Sequence, residues 1–126
     1  MKAHVIHNKD VPVQNADWGT LQWLVTGAAG TSKVMTLGRV TIKPGQANPM
    51  HKHPNSDEIL FVVKGEIEHA LPEGGTARLS AGDCIVIEQG GPHKAKNVGK
   101  SDAVLVVAFN TPDRKAENVG APGAEA

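Results

Sequence analysis

The chain is expected to be all-β, a barrel of short antiparallel strands, and three observations predict it. Fourteen glycines and eight prolines among 126 residues are many for a helical protein. They fall between short runs rich in Val, Ile and Thr, which is the pattern of strands separated by turns. No segment carries a long 3.6-residue period of apolar positions. The length is that of one domain and suffices to bury a core without crosslinks.

Strands are predicted at about 3–7, 21–26, 33–43, 50–53, 58–64, 66–71, 77–79, 84–88, 93–97 and 103–110. The turn Gly27-Ala-Ala-Gly30 ends the second. Pro49 and Pro54 pin the fourth, and a proline biases the residue before it, here His53, to extended geometry. Pro72-Glu-Gly-Gly75 joins the sixth to the seventh as a hairpin with a four-residue loop. In Glu66-Ile-Glu-His-Ala-Leu71 the glutamates share the wet face, which turns Ile67, His69 and Leu71 inward. Residues 58–63 and 104–109 are apolar on both faces, so they need a second covering layer, from a packed sheet, a neighbouring subunit or both. Residues 1–110 form the single expected domain. Residues 111–126, with Pro112, Gly120, Pro122 and Gly123, read as a loosely ordered tail.

Composition excludes several function classes. Lys+Arg and Asp+Glu both number 13, and no basic stretch suggests nucleic acid. The longest apolar run, 104–109, is far too short to span a bilayer as a helix, so no membrane partner is expected. The first residues lack the apolar stretch of a signal peptide, and the lone Cys84 excludes an internal disulfide. A cytoplasmic location is the expectation. Cys84 itself reads as a small buried hydrophobe in an apolar strand.

The chemistry concentrates in Gly45 to Gly65. In a strand, residues two apart face the same way, so His51 and His53 present two imidazoles to one side while Lys52 faces the other. Glu58 follows the turn Pro54-Asn-Ser-Asp57 at the start of the next strand. An antiparallel return brings it opposite the histidines. Two nitrogens and an oxygen on one side of an ion leave other positions open. Gly90-Gly-Pro-His93 supplies a fourth candidate, and Asn97, four residues on, shares its face as a group that supports the ligands from behind or fixes the loop. A His-x-His pair alone is more often two surface histidines; the added Glu58 and His93 set this one apart. His4 and His7 read as surface residues.

These residues resemble those of the cupins. The first cupin motif, G-x5-H-x-H-x3,4-E-x6-G, is matched at every fixed position by Gly45, His51, His53, Glu58 and Gly65. The second, G-x5-P-x-G-x2-H-x3-N, is matched by Gly82, Gly90, His93 and Asn97, with Glu88 in place of its proline. The resemblance implies a double-sheet jelly-roll barrel. It implies one divalent metal held by His51, His53, Glu58 and His93, and a homodimer. Such a ligand set suits Fe, Mn, Ni, Cu or Zn. The implied function is a metal-dependent enzyme, first a dioxygenase or other oxidoreductase of a small enol, phenolic or diketone. The alternatives are a redox-neutral sugar isomerase, cyclase or lyase, and a non-catalytic binding or sensor module. Glu58 is also a candidate base and His69 a candidate catalytic residue. By parity Leu60 and Val62 join Glu58, and Ala95 joins His93, as pocket candidates. Arg39 is either a holder of an anionic substrate at the barrel mouth or a solvated edge charge.

Overall fold

The computed structural model describes residues 1–120. After a single 3₁₀ turn at Asn8–Asp10, its strands are β1 Gln14–Ala16, β2 Gly19–Val25, β3 Thr36–Ile42, β4 His51–Lys52 and β5 Glu58–Lys64. There follow β6 Glu66–Ala70, β7 Thr76–Ser80, β8 Cys84–Ile87, β9 Lys94–Asn97, β10 Ala103–Phe109 and β11 Glu117–Asn118. All pairings among them are antiparallel.

Six strands in the order β1-β2-β3-β10-β5-β8 make the larger sheet, and β7-β6-β9 make the smaller one facing it. The late strand β10 inserts between β3 and β5, with Phe109 opposite Thr36 on one side and Glu58 on the other. This return of a distant strand to the sheet centre makes the two sheets a jelly roll rather than a chain of hairpins. Isolated bridges at His51–His93 and Ala47–Lys96 tie the segment before β5 to the strand after Pro92.

The core follows from strand parity. Ile42, Val62, Ile67 and Leu105 are fully buried between the sheets, with Leu60, Val107 and Phe109 alongside. Gly65 closes the β5–β6 turn at φ +93°, a conformation that other residues adopt at a cost, and a Cβ there would press against Ala103. The hairpin predicted at Pro72-Glu-Gly-Gly75 forms as expected, with Ala70 opposite Thr76 and both glycines at positive φ.

Several expectations are corrected. Residues 3–7 form no strand, because nothing in the described chain pairs with them and they lie almost wholly exposed. The strand expected from 33 begins at Thr36; the Ser32 hydroxyl accepts from the amides of Val34 and Met35 and holds a turn there instead. Cys84 is exposed rather than buried, since Ile85 and Ile87 take the inward positions of the edge strand β8. Within the tail expected to be loosely ordered, Glu117–Asn118 pairs with β4, while 121–126 lie outside the described residues. The second apolar face of β5 remains uncovered, with Ile59, Phe61 and Val63 all exposed.

Candidate metal centre

Three segments converge inside the barrel. His51 opens β4, His53 follows it in extended chain, Glu58 opens β5, and His93 immediately precedes β9. One ligand-type atom from each lies within 4.8 Å of the others, and all four side chains are buried. The bridge between His51 and His93, with hydrogen bonds of 3.0 and 2.8 Å between their main chains, brings the two halves of the cluster together. Asp57 and Gln89 lock the loop ahead of Glu58: the Gln89 amide donates to Asp57 Oδ1, and the Gln89 side-chain amide donates to the Pro54 carbonyl.

Each imidazole is oriented by its Nδ1. His51 Nδ1 donates to the Pro49 carbonyl at 2.8 Å, His53 to the Lys115 carbonyl at 2.8 Å, and His93 to the Gly91 carbonyl at 2.9 Å. With the proton held on Nδ1, the neutral ring carries its lone pair on Nε2. That is the arrangement a metal-binding imidazole needs, with the second nitrogen fixed by an outer acceptor.

The inner atoms fit a cation. Glu58 Oε1 lies 2.9 Å from His93 Nε2 and 3.0 Å from His53 Nε2. His53 Nε2 is buried yet makes no hydrogen bond, and a ring lone pair against a carboxylate oxygen is unfavourable unless a proton or a metal ion stands between them. Burial pushes the Glu58 carboxyl up, but the nitrogens of His53 and His93 outweigh it and hold the group at about 2. Burial, followed by the neighbouring His93, lowers the His51 imidazole to about 4. Burial also depresses His93, but contact with Glu58 more than reverses this and raises it. A fixed carboxylate and a neutral His51 offer ligand atoms at neutral pH.

The remaining candidates divide. Leu60 and Val62 face inward with Glu58, and Ala95 with His93, as parity predicts; all three belong to the apolar packing of the core. His69 is fully buried, stacked on the His93 ring at 5.6 Å, with Nδ1 donating to the Ala70 carbonyl and Nε2 unpartnered. Burial, then His93, lowers its pKa. Asn97 makes its bonds to the loop and not to the cluster: its amide donates to Ile42 and Ser101 carbonyls, and its oxygen accepts from the Gly99 amide, each at 2.8 Å. It fixes the chain beyond β9.

Arg39 is exposed on the outer face of β3, because Gly38 and Val40 take the inward positions. The arginine near the cluster is Arg114, which sequence reading missed. Its guanidinium lies 3.9 Å from the Trp23 ring centre and 5.6 Å from that of Phe109, and Phe109 in turn packs edge-on against His53 at 4.8 Å. The Lys115 carbonyl was also missed, and no sequence signal marks it, since any residue type supplies a carbonyl.

Comparison with known proteins agrees with this geometry. A model of the Cupin domain matches residues 38–109. Oxalate oxidase 1 of Hordeum vulgare is 38% identical over 97 residues, covering 71% of this chain and 46% of its own. The chain therefore spans less than half of that relative. Among solved structures, the oxalate decarboxylase of Lactobacillus farciminis, in a formate complex, superposes with a TM-score of 0.83 at 21% identity, covering 90% of this chain and 35% of its own. That of Bacillus subtilis, whose Mn(II) centres have been studied by EPR, gives 0.77 at 20%, covering 85% and 29%.

Proposed function

The chain belongs to the cupin family, and on that footing we propose that it is a metal-dependent enzyme, an oxidoreductase acting on a small oxygen-chelating molecule. One observation carries this reading: three imidazoles with Nδ1 committed to carbonyls turn their Nε2 atoms, with Glu58, onto one point. His51, His53, Glu58 and His93 would hold the ion. A cation bound there supplies Lewis acidity and open positions for an oxygen ligand. The chain's own residues do the rest. The outer carbonyls hold the rings rigid, and the aliphatic core beneath keeps water from the ligands.

Oxalate, for which the barley relative is named, can chelate an ion through two oxygens, as catechols and diketones can. Manganese, named for the Bacillus subtilis neighbour, is the first metal to supply. The test is metal analysis of protein purified without affinity resin, followed by oxygen uptake with oxalate, enols, catechols and diketones. Stoichiometric metal with oxygen consumption is expected. Bound metal without it would transfer the reading to an isomerase, cyclase or lyase. Protein that takes up no metal would sink the enzyme reading.

We also propose that the uncovered face of β5 seats a second copy of the chain. Ile59, Phe61 and Val63 alternate along it, and Val86 extends the patch onto β8. A row of large apolar side chains on a sheet face marks an interface. Sedimentation should show a dimer, and Phe61→Glu should convert it to monomer with its metal content unchanged. A monomeric wild type would refute this.

A further inference from the structure

The opening lined by Trp23, Thr26, Thr36 and Arg114 contains none of the four ligand residues and is not explained by them. Arg114 stands in it half-buried, stacked on Trp23, and takes part in none of the ion pairs among the described residues. Asp113 lines the same opening without pairing to it. An arginine taken partly out of water without a carboxylate partner is costly, and stacking returns only about 0.5–2 kcal/mol. Stacking also leaves the guanidinium edge, with its fork of N–H donors, open to a planar anion.

Position supplies the second argument. The guanidinium reaches His53 through one intervening ring, Phe109, at 5.6 and 4.8 Å. Burial lowers the Arg114 pKa and the Glu58 charge counters it, so the two groups lie within electrostatic reach. A divalent ion among neutral imidazoles and one carboxylate leaves net positive charge, and Arg114 adds to it. The combined field favours an anion at the guanidinium.

We propose that Arg114 is the specificity residue for a small carboxylate substrate, holding a carboxylate end in its fork while another oxygen faces the His51, His53, Glu58 and His93 cluster. This rests on the metal-enzyme reading and narrows its substrate class, from any oxygen chelator to an anionic one. Neutral diketones fall outside it.

Isothermal titration calorimetry with oxalate and pyruvate, and with neutral 2,4-pentanedione, tests the assignment on the full chain. Wild type, Arg114→Met and Arg114→Lys are compared after Mn(II) loading, with metal content measured first. Met keeps the apolar cover on Trp23 and removes the charge and the fork. Carboxylate affinity should fall about tenfold to a hundredfold in Arg114→Met, the scale of one charge-assisted bonded pair, with partial recovery in Arg114→Lys. Binding of 2,4-pentanedione and metal content should stay as in wild type. The same titrations on metal-free protein should show weaker carboxylate binding with the same dependence on Arg114. A chain that holds no metal but keeps that dependence defeats the enzyme reading and supports this one. Equal carboxylate affinity in wild type and Arg114→Met, or no carboxylate binding to either form of the wild type, overturns it.

Discussion

Replacing His51 and His53 together with alanine is expected to abolish metal retention while leaving the barrel folded. Both rings aim Nε2 at the point shared with Glu58 and His93, and both are anchored through Nδ1. Removing one outer partner of a ligand costs roughly 10–100-fold in metal affinity, so loss of two direct ligands should cost at least on the order of 10⁴-fold. The fold has less at stake. Ile42, Val62, Ile67 and Leu105 pack between the sheets whether or not the imidazoles are present. Alanine leaves the Pro49 and Lys115 carbonyls without their donors, about 1–3 kcal/mol each. Metal analysis after gel filtration and thermal unfolding with and without Mn(II) decide the matter. In wild type, metal at 100 times its dissociation constant adds about 2.7 kcal/mol of stability, a shift of several degrees for a chain of this size. The double variant should show circular dichroism of a folded β protein and no shift. A variant that never folds would make the metal structural; one that keeps stoichiometric metal would place the ligands elsewhere.

The ligand cluster was legible in the sequence because its determinants are local. His51 and Glu58 lie on two consecutive strands and His53 directly follows the first in extended chain, so parity and one short turn decide which way each side chain faces. Spacing from His93 placed Asn97 on the right face but left two roles open, support of the ligands or of the loop; its hydrogen bonds go to the loop. Arg39 failed by one position of parity: the expected mouth-facing arginine sits where β3 turns outward. Cys84 failed likewise, on a strand at the sheet edge whose outer face the sequence pattern does not distinguish.

The C-terminal segment was illegible for a different reason. β11 has two residues and β1 has three, too few to show any period. The segment's contributions are a main-chain oxygen from Lys115 and a single side chain from Arg114, set by contacts across long stretches of chain. His53 and Lys115 are 62 residues apart, and Asn55 and Asp113 are 58 apart. Proline and glycine content gave no strand signal there, but irregular chain can still be held in one place. The described part of the tail is held by the asparagine side chain of the ligand loop, with Asn55 Nδ2 donating to Asp113 and Asn55 Oδ1 accepting from the Lys115 amide.

A chain ending at Asp113 is therefore expected to fold, to bind metal about 10–100-fold more weakly, and to lose carboxylate binding. It keeps the Thr111, Pro112 and Asp113 carbonyls that close the barrel end, including the 2.7 Å bond from Thr36 Oγ1 to Thr111. It keeps every strand of the two larger sheets, because β10 ends at Phe109. It loses the Lys115 acceptor of His53, the pairing of β11 with β4, and Arg114. The exposed Lys52–Glu117 ion pair, at 3.8 Å, adds little to that loss. Without its acceptor, the His53 ring is free to rotate and to take the other tautomer, so the weakening should be that of an outer partner. Two point variants separate this from general loosening. Lys115→Ala should leave metal affinity unchanged, because only its main chain is used. Asn55→Ala should weaken metal binding in the same direction as the deletion but less, since it releases the tail without removing it. Competition of Mn(II) against a fluorescent chelator measures all three. A deletion variant with wild-type affinity would mean that the Lys115 carbonyl does not orient His53, and a Lys115→Ala variant as weak as the deletion would assign the role to the side chain instead.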